Sequence, residues 1–280
     1  MNLQLLFSDS MGVRSMATVV ELENDSLFID ASAALGPSRY GLPPHQLELE
    51  ALSHAKKTIG EIAGDCRYFV ITHYHYDHYD PDESFYAGKT VFAKRIDRHI
   101  NKSQKERGSH FHELFEKRTE IVYCDDTTHE VDGHTITFSP PFPHGPPGTR
   151  LGYVIMVSIE GKEKLLFASD VQGPVDEKTR DYIINEQPDI LIMDGPPSYF
   201  LGWKFSHEHL RMAENNLLEI MEKTHCRLIL DHHLLRDMKY RERMKQLYEC
   251  YDDRIQTFAE QRGMENTMLE ARRKELWGRT

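Results

Sequence analysis

Cysteine is scarce in this chain and never paired in sequence. The 280 residues hold four, Cys66, Cys124, Cys226 and Cys250, with no C-x-x-C among them. That scatter excludes a thiolate zinc knuckle and a dithiol redox motif, and it leaves no framework for a disulfide scaffold. Reduced structural thiols are expected. Long apolar runs are missing too. No stretch approaches the roughly 18 residues of a membrane helix, so no membrane partner is expected. Positive charge is in deficit, with 34 Lys and Arg against 45 Asp and Glu, a net charge of −11. Broad contact with a phosphate backbone needs the opposite balance, so nucleic acid is not the favoured partner. One basic stretch, Lys89, Lys94, Arg95, Arg98, Lys102, Lys105 and Arg107, reads as a solvated helix face. A glycine-rich cofactor loop, repeats of solenoid period and a flexible linker are all missing. Residues 1–14 lack the basic start and long apolar centre of a signal peptide, and Leu3 to Phe7 read as a first strand; a cytoplasmic location is expected.

What is present is a composition of 39% hydrophobic and 28% charged residues, ordinary for a globular protein. Residues 13–22 and 26–30 read as strands joined by a turn at Asn24-Asp25. Prolines and glycines from 36 to 44 mark a rigid loop. A helix from Gln46 places Leu52, Ala55, Ile59 and Ile62 on one stripe and ends at Gly64-Asp65. Residues 67–71 and 90–93 are short buried strands. Residues 96–118 are polar and predicted helical, with a break at Gly108-Ser109. Strand character resumes at 121–123 and 134–138, around Asp132-Gly133. Residues 153–159 and 164–168 form a hairpin, 189–193 a buried strand, 208–223 a helix and 227–230 a last strand. The charged tail, 236–280, is predicted mostly helical. The simplest organisation is one compact α/β domain over 1–235, with the tail packed on it.

One segment carries chemistry. Thr72-His73-Tyr74-His75-Tyr76-Asp77-His78 follows the strand at 67–71. His73 and His75 are two apart, so in extended backbone they point the same way. Asp77 and His78 come after the chain turns and can face a second point. That spacing suits two adjacent metal ions, which need more donors at strand ends. Three places fit. His144 lies in a loop stiffened by proline and glycine on both sides. Asp170 follows the apolar Leu165 to Ala168, where a carboxylate can bridge two cations. His232 or His233 follows Leu228 to Leu230.

These residues resemble the metallo-β-lactamase superfamily. The matching positions are His73, His75, Asp77 and His78, then His144, Asp170 and His232 in the family's order; the apolar strand ending in Asp30 is similar to the family's early strand. The similarity covers most of residues 1–235. It departs in Ala31-Ser32-Ala33, where the family often has glycine, in the prolines around His144, and in the tail. The resemblance implies an α/β fold of four layers, an αββα sandwich, with metals at one edge of the sheets. It implies that His73, His75 and His144 hold one metal, that Asp77, His78 and His232 hold the other, and that Asp170 bridges them. His232 matches the family position, which leaves His233 as a supporting group or proton donor. Imidazole with carboxylate suits Zn2+ as the expected ion, with iron and manganese as alternatives.

The implied activity is metal-dependent hydrolysis of a small-molecule ester, lactone, thioester or phosphodiester. Two cations about 3.5–4 Å apart share a water and make it a hydroxide near neutral pH. Asp77 would orient that nucleophile as well as bind metal. Asp30 or Asp231 would fix the imidazole tautomers. Tyr74 and Tyr76 are expected to pack behind the ligands. His207-Glu208-His209 reads as helix cap or pocket wall, and Tyr199, Trp203 and Phe205 as a possible pocket lining or core. The alternatives are a metal-dependent nuclease or RNA-processing phosphodiesterase, a di-iron redox protein of the same fold, and a binding module without activity.

Overall fold

The computed structural model describes residues 2–279. Among these, strands β1 (Asn2–Ser8), β2 (Met16–Glu21), β3 (Ser26–Ile29), β4 (Tyr68–Ile71), β5 (Thr90–Ala93) and β6 (Glu120–Tyr123) form a six-stranded sheet in chain order. The first three strands pair antiparallel, and β3 to β6 run parallel. The next elements are β7 (Thr127–Val131), β8 (His134–Phe138), β9 (Phe142–Pro143), β10 (Tyr153–Val154), β11 (Val157–Ile159), β12 (Leu165–Ser169), β13 (Ile190–Asp194), β14 (Arg227–Asp231) and β15 (Ile255–Gln256). All but the β9–β10 ribbon join a seven-stranded sheet in the order β15-β14-β13-β12-β11-β8-β7. Four longer helices are α1 (Gln46–Asp65), α2 (Lys102–Phe115), α3 (Glu177–Glu186) and α4 (His207–Thr224).

Alternation along the strands builds the layers, because successive side chains leave opposite faces of a sheet. Leu27, Ile29, Val70 and Phe92 from the first sheet meet Leu165, Phe167, Ile192 and Ile229 from the second in one buried cluster. The intervening residues Phe28, Phe69 and Val91 face outward onto Ala55 and Ile59 of α1 and Phe111 and Phe115 of α2. On the other side Leu166, Leu191, Met193 and Leu228 face Ile183 of α3 and Leu210, Leu217 and Ile220 of α4. Three clusters between four layers give the αββα sandwich that the sequence predicts. No helix among the described residues is long and apolar enough to cross a membrane.

The structure corrects several local readings. Gly108 does not break α2, which runs through it. A Cβ there would sit 2.6 Å from Ile96 Cγ2 and 2.8 Å from the Tyr74 ring, so the glycine allows close packing rather than a turn. The segment 121–123, read like 134–138 as a strand, is one, but it lies in the other sheet. It is the edge of the first sheet (β6), while β7 is the hairpin partner of β8 in the second. Helix α3 has no counterpart in the sequence reading. The tail is less helical than its composition suggests. Its helices are single turns or little more (Tyr240–Arg243, Lys245–Tyr251, Phe258–Gln261, Arg273–Leu276), and β15 adds to the sheet edge. The tail packs Tyr240, Met244, Leu247, Tyr248 and Ile255 into the core beside α4 and adds buried ion pairs. Arg273, fully buried, donates to both oxygens of Glu48 on α1 at 2.8 and 2.7 Å.

Candidate metal centre

The parallel strands of both sheets end along one edge, and the polar motifs collect there. Asp30 follows β3, Thr72 and His73 follow β4, Asp170 follows β12, Asp194 ends β13, and Asp231 and His232 close β14. At three of these ends the backbone turns through the left-handed region at a non-glycine residue: Asp30 (φ 51°), Ser169 (φ 57°) and His232 (φ 50°). Each such residue costs about 1 kcal/mol, and the cost is borne where side chains are being aimed.

All seven side chains predicted to ligate metal lie together. Asp170 is the hub. Its Oδ2 is 3.2 Å from His78 Nε2, 3.2 Å from His144 Nε2, 3.5 Å from His232 Nε2 and 3.7 Å from His73 Nε2. His73 Nε2 and His75 Nδ1 are 3.0 Å apart, and His232 Nε2 is 3.6 Å from Asp77 Oδ2. Donor atoms of His73, His75, His144 and Asp170 all fall within 4.8 Å of one another, and so do those of Asp77, His78 and His232. His233 is also present: its Nε2 is 3.7 Å from Asp170 Oδ2.

Whether these groups fit cations is testable from their hydrogen bonding. His78 Nε2, both nitrogens of His144 and Asp170 Oδ1 are buried and have no hydrogen-bond partner. His78 and His144 approach Asp170 closely but without hydrogen-bond alignment. Buried polar atoms are normally paired, and leaving one unpaired costs about 1–3 kcal/mol. Lone pairs that converge on shared points while neglecting each other fit metal ions. The donor set, nitrogen and carboxylate oxygen without sulfur, suits zinc, iron or manganese.

Charge is arranged to match. Burial favours neutral forms, and it holds His73 well below the ordinary imidazole range and His75 at about 3, assisted by the neighbouring imidazoles. Burial opposes the charged forms of His78 and His232 as well, but Asp170 outweighs it, raising His78 far above the usual value and His232 to about 9. Burial also resists ionisation of Asp77 and Asp170, yet the positive charge around them, His78 foremost, holds both carboxyls below the usual range. The acidic donors are therefore held as anions, with His78 and His232 the groups that answer their charge.

Partners behind the donors fix the rings. Asp30 accepts from Thr72 N (2.9 Å) and Thr72 Oγ1 (2.7 Å), and its Oδ2 lies 2.8 Å from His78 Nδ1. Asp231, by contrast, touches no imidazole. It accepts from the backbone N–H of Ser10, His232 and Phe258, so it shapes the loop after β14 rather than a tautomer. Three supporting residues escape the sequence reading. Asp9 Oδ2 is 2.8 Å from His232 Nδ1 and Asp194 Oδ2 is 2.6 Å from His233 Nδ1, while Arg236 donates from Nε to Asp9 at 2.9 Å. Asp194 had a signal, since it ends an apolar strand as Asp30 does. Asp9 and Arg236 had none.

The centre opens into a cavity of about 490 Å³, whose walls include His75, Asp77, His144, Asp170, Gln172 and His233, with Tyr76, Arg107, Tyr199, Phe200 and Arg236 around them. Tyr74 packs behind the ligands, its hydroxyl donating to the Lys94 carbonyl. Tyr76 does not; it is about half exposed and lines the cavity. From the aromatic loop, Tyr199 reaches the cavity, Phe205 is core and Trp203 is exposed. His207 and His209 begin α4, where Ser206 Oγ accepts from His209 N, outside the cluster. Lys94 is buried against Asp125 at 2.6 Å, which removes it from the basic surface.

No family model matches the chain. Relatives do. A UPF0282 protein of Methanopyrus kandleri is 38% identical, with 96% of this chain and 97% of that protein covered. One of Methanocaldococcus jannaschii is 39% identical, with 97% and 94% covered. Among solved structures, an isothiocyanate hydrolase from Delia radicum gut bacteria shares 15% identity and a TM-score of 0.58 over 92% of this chain and 96% of that one, a likeness of fold alone. The chain has the metallo-β-lactamase fold, with a His/Asp cluster at the sheet edge, and it belongs to the UPF0282 family.

Proposed function

We propose that the protein is a metal-dependent hydrolase with a two-metal centre. His73, His75 and His144 would hold one ion and Asp77, His78 and His232 the other, with Asp170 between them. The observation that carries this reading is the position of Asp170 Oδ2, 3.2 to 3.7 Å from imidazole nitrogens of both triads. His232 rather than His233 completes the second triad because its Nε2 also reaches Asp77. When bound, the ions supply Lewis acidity toward the scissile group and a nucleophile from water at neutral pH; zinc is the proposed ion.

The chain's own residues do the rest. Asp77, whose Oδ2 lies 3.7 Å from Arg236 Nη2, accepts a hydrogen bond from the attacking water and orients it. Asp30 and Asp9 keep His78 and His232 aimed at the centre. His233, held by Asp194 through Nδ1, borders the cavity through its ring; burial keeps this imidazole well below its ordinary range, so we assign to it the relay of a proton taken from the attacking water and passed to the leaving group. Tyr76 and Phe200 supply aromatic surface to the cavity wall. A cavity of this size accepts a small molecule, with an ester, lactone, thioester or phosphodiester as the bond cleaved. The test is a screen of the zinc-loaded protein against chromogenic members of those four classes, with Asp77→Ala and His233→Gln alongside. Turnover of at least one class is expected, abolished by Asp77→Ala and reduced by His233→Gln with metal content intact. No turnover of any class, or full turnover by Asp77→Ala, would overturn it.

A further inference from the structure

Three guanidinium groups border the cavity over the metal centre, and two of them are already neutralised. Arg14 donates to both oxygens of Glu270 at 2.6 and 2.7 Å. Arg236 pairs with Asp9 at 2.9 and 3.3 Å. Arg107 differs. Among the described residues no carboxylate lies within ion-pair distance of it. Its Nη1 donates to the Tyr74 carbonyl at 3.2 Å, and its guanidinium lies over the Tyr76 ring, 4.5 Å from the centroid.

That placement is built in. Gly108, the next residue, lets α2 press directly on the Tyr74 ring, where any Cβ would collide. Tyr74 stands between His73 and His75, so the helix and the ligand loop are locked together one residue from Arg107. The side chain is half-buried, stacked and tethered by one nitrogen, which leaves Nε and Nη2 for another acceptor. A guanidinium whose geometry is preset loses little entropy when it captures a planar or tetrahedral oxyanion. Long-range attraction cannot do this work. The chain carries a net charge of −11, and at physiological salt fields fade over about 8 Å. An anionic group must therefore be recognised locally, beside the centre.

We propose that Arg107 is a specificity residue that binds an anionic group, carboxylate or phosphate, on the substrate, placing the scissile bond between that group and the metal centre. This rests on the hydrolase reading for the word substrate, but the anion site itself does not. The test is direct binding, by ligand-detected NMR on the full-length chain, zinc-loaded and after chelation. Phenylphosphonate and benzoate are the anionic probes, and benzamide is the neutral match of benzoate. Circular dichroism melting establishes that the variants fold.

Arg107→Met, which keeps the stem and removes the charge, is expected to weaken one or both anions by about 10- to 100-fold while benzamide binding stays within twofold. Arg107→Lys, with charge but no planar fork, should restore binding in part. The anion that loses more names the chemical group recognised. Equal weakening of all three probes, or no change in any, overturns the proposal. Turnover is scored separately: a folded protein that hydrolyses nothing yet shows Arg107-dependent anion binding removes the hydrolase reading and leaves the anion site standing.

Discussion

Asp9 Oδ2 lies 2.8 Å from His232 Nδ1, and through that contact the first sheet orients a donor of the second. Asp9 follows β1 and His232 follows β14, so the pair bridges the sandwich at its polar edge. The same carboxylate pairs with Arg236, which is 2% exposed. Two consequences separate cleanly. Asp9→Ala strands a buried guanidinium, and urea denaturation should show a loss of about 3–5 kcal/mol. Asp9→Asn keeps the shape but weakens the grip on His232. Competition with a chelator should then show metal affinity lower by about 10- to 100-fold. Unchanged affinity in folded Asp9→Asn would reduce the contact to a structural tie.

Asp30 serves the other triad from behind His78. Its two oxygens satisfy Thr72 N, Thr72 Oγ1 and His78 Nδ1 together, a set of three that an amide cannot match because one of its ends only donates. Asp30→Asn is expected to lower metal affinity by about 10- to 100-fold and stability by about 1–3 kcal/mol. The two losses are read independently, by chelator competition and by chemical denaturation of the metal-free protein.

Acid should release the tail from the rim of the cavity. Burial alone would raise the Glu270 carboxyl, but hydrogen bonds and charge from Arg14, with Arg236 and Arg273 adding, bring it down to about 2 from an ordinary 4.5. A depressed carboxyl stabilises the fold fully above the unfolded value, and that stabilisation disappears as pH falls through the folded one. The window is therefore pH 4.5 down to about 2. The contribution is at most about 3 kcal/mol. Glu270→Gln should be less stable than the parent at pH 6, with the gap closing toward pH 2. A gap independent of pH would contradict the ion pair.

Gly108→Ala places a methyl 2.6 Å from Ile96 Cγ2 and 2.8 Å from the Tyr74 ring. Helix propensity favours the substitution by up to about 1 kcal/mol, so an open helix face would be stabilised. Overpacking against a buried ring should win, with a net loss of about 1–2 kcal/mol in thermal or urea unfolding. A gain would mean that α2 is free to shift off the ligand loop.

How much of this was legible in the sequence follows from where the information is local. Donors adjacent in sequence, His73 through His78, declare themselves by spacing, and the strand before them gives their direction. His144, Asp170 and His232 are visible because each follows a strand and each matches a family position. Asp9 and Arg236 are invisible for the opposite reason. Their roles arise from contacts across 227 positions of chain, and neither stands in a pattern that distinguishes it from other charged residues. The four layers are what the family resemblance implies, and alternation along the strands is how the chain builds them. Alternation marks strands but not which sheet each joins: 121–123 and 134–138 both read as strands, and they lie in different sheets. Gly108 was misread because glycine in a helix reports either a break or a close neighbour, and only the packed Tyr74 tells which. The tail is less legible for a related reason, since charged, helix-prone composition does not reveal that its short helices are set by core contacts of Met244 and Leu247 and by the buried Arg273–Glu48 pair.

The most direct test counts metal. Full-length protein reconstituted with zinc, dialysed free of excess and analysed by elemental mass spectrometry should carry two ions per chain, and Asp170→Ala should lose at least one of them. A parent protein that retains one ion or none, or an Asp170→Ala variant that still holds two, would contradict the two-metal centre.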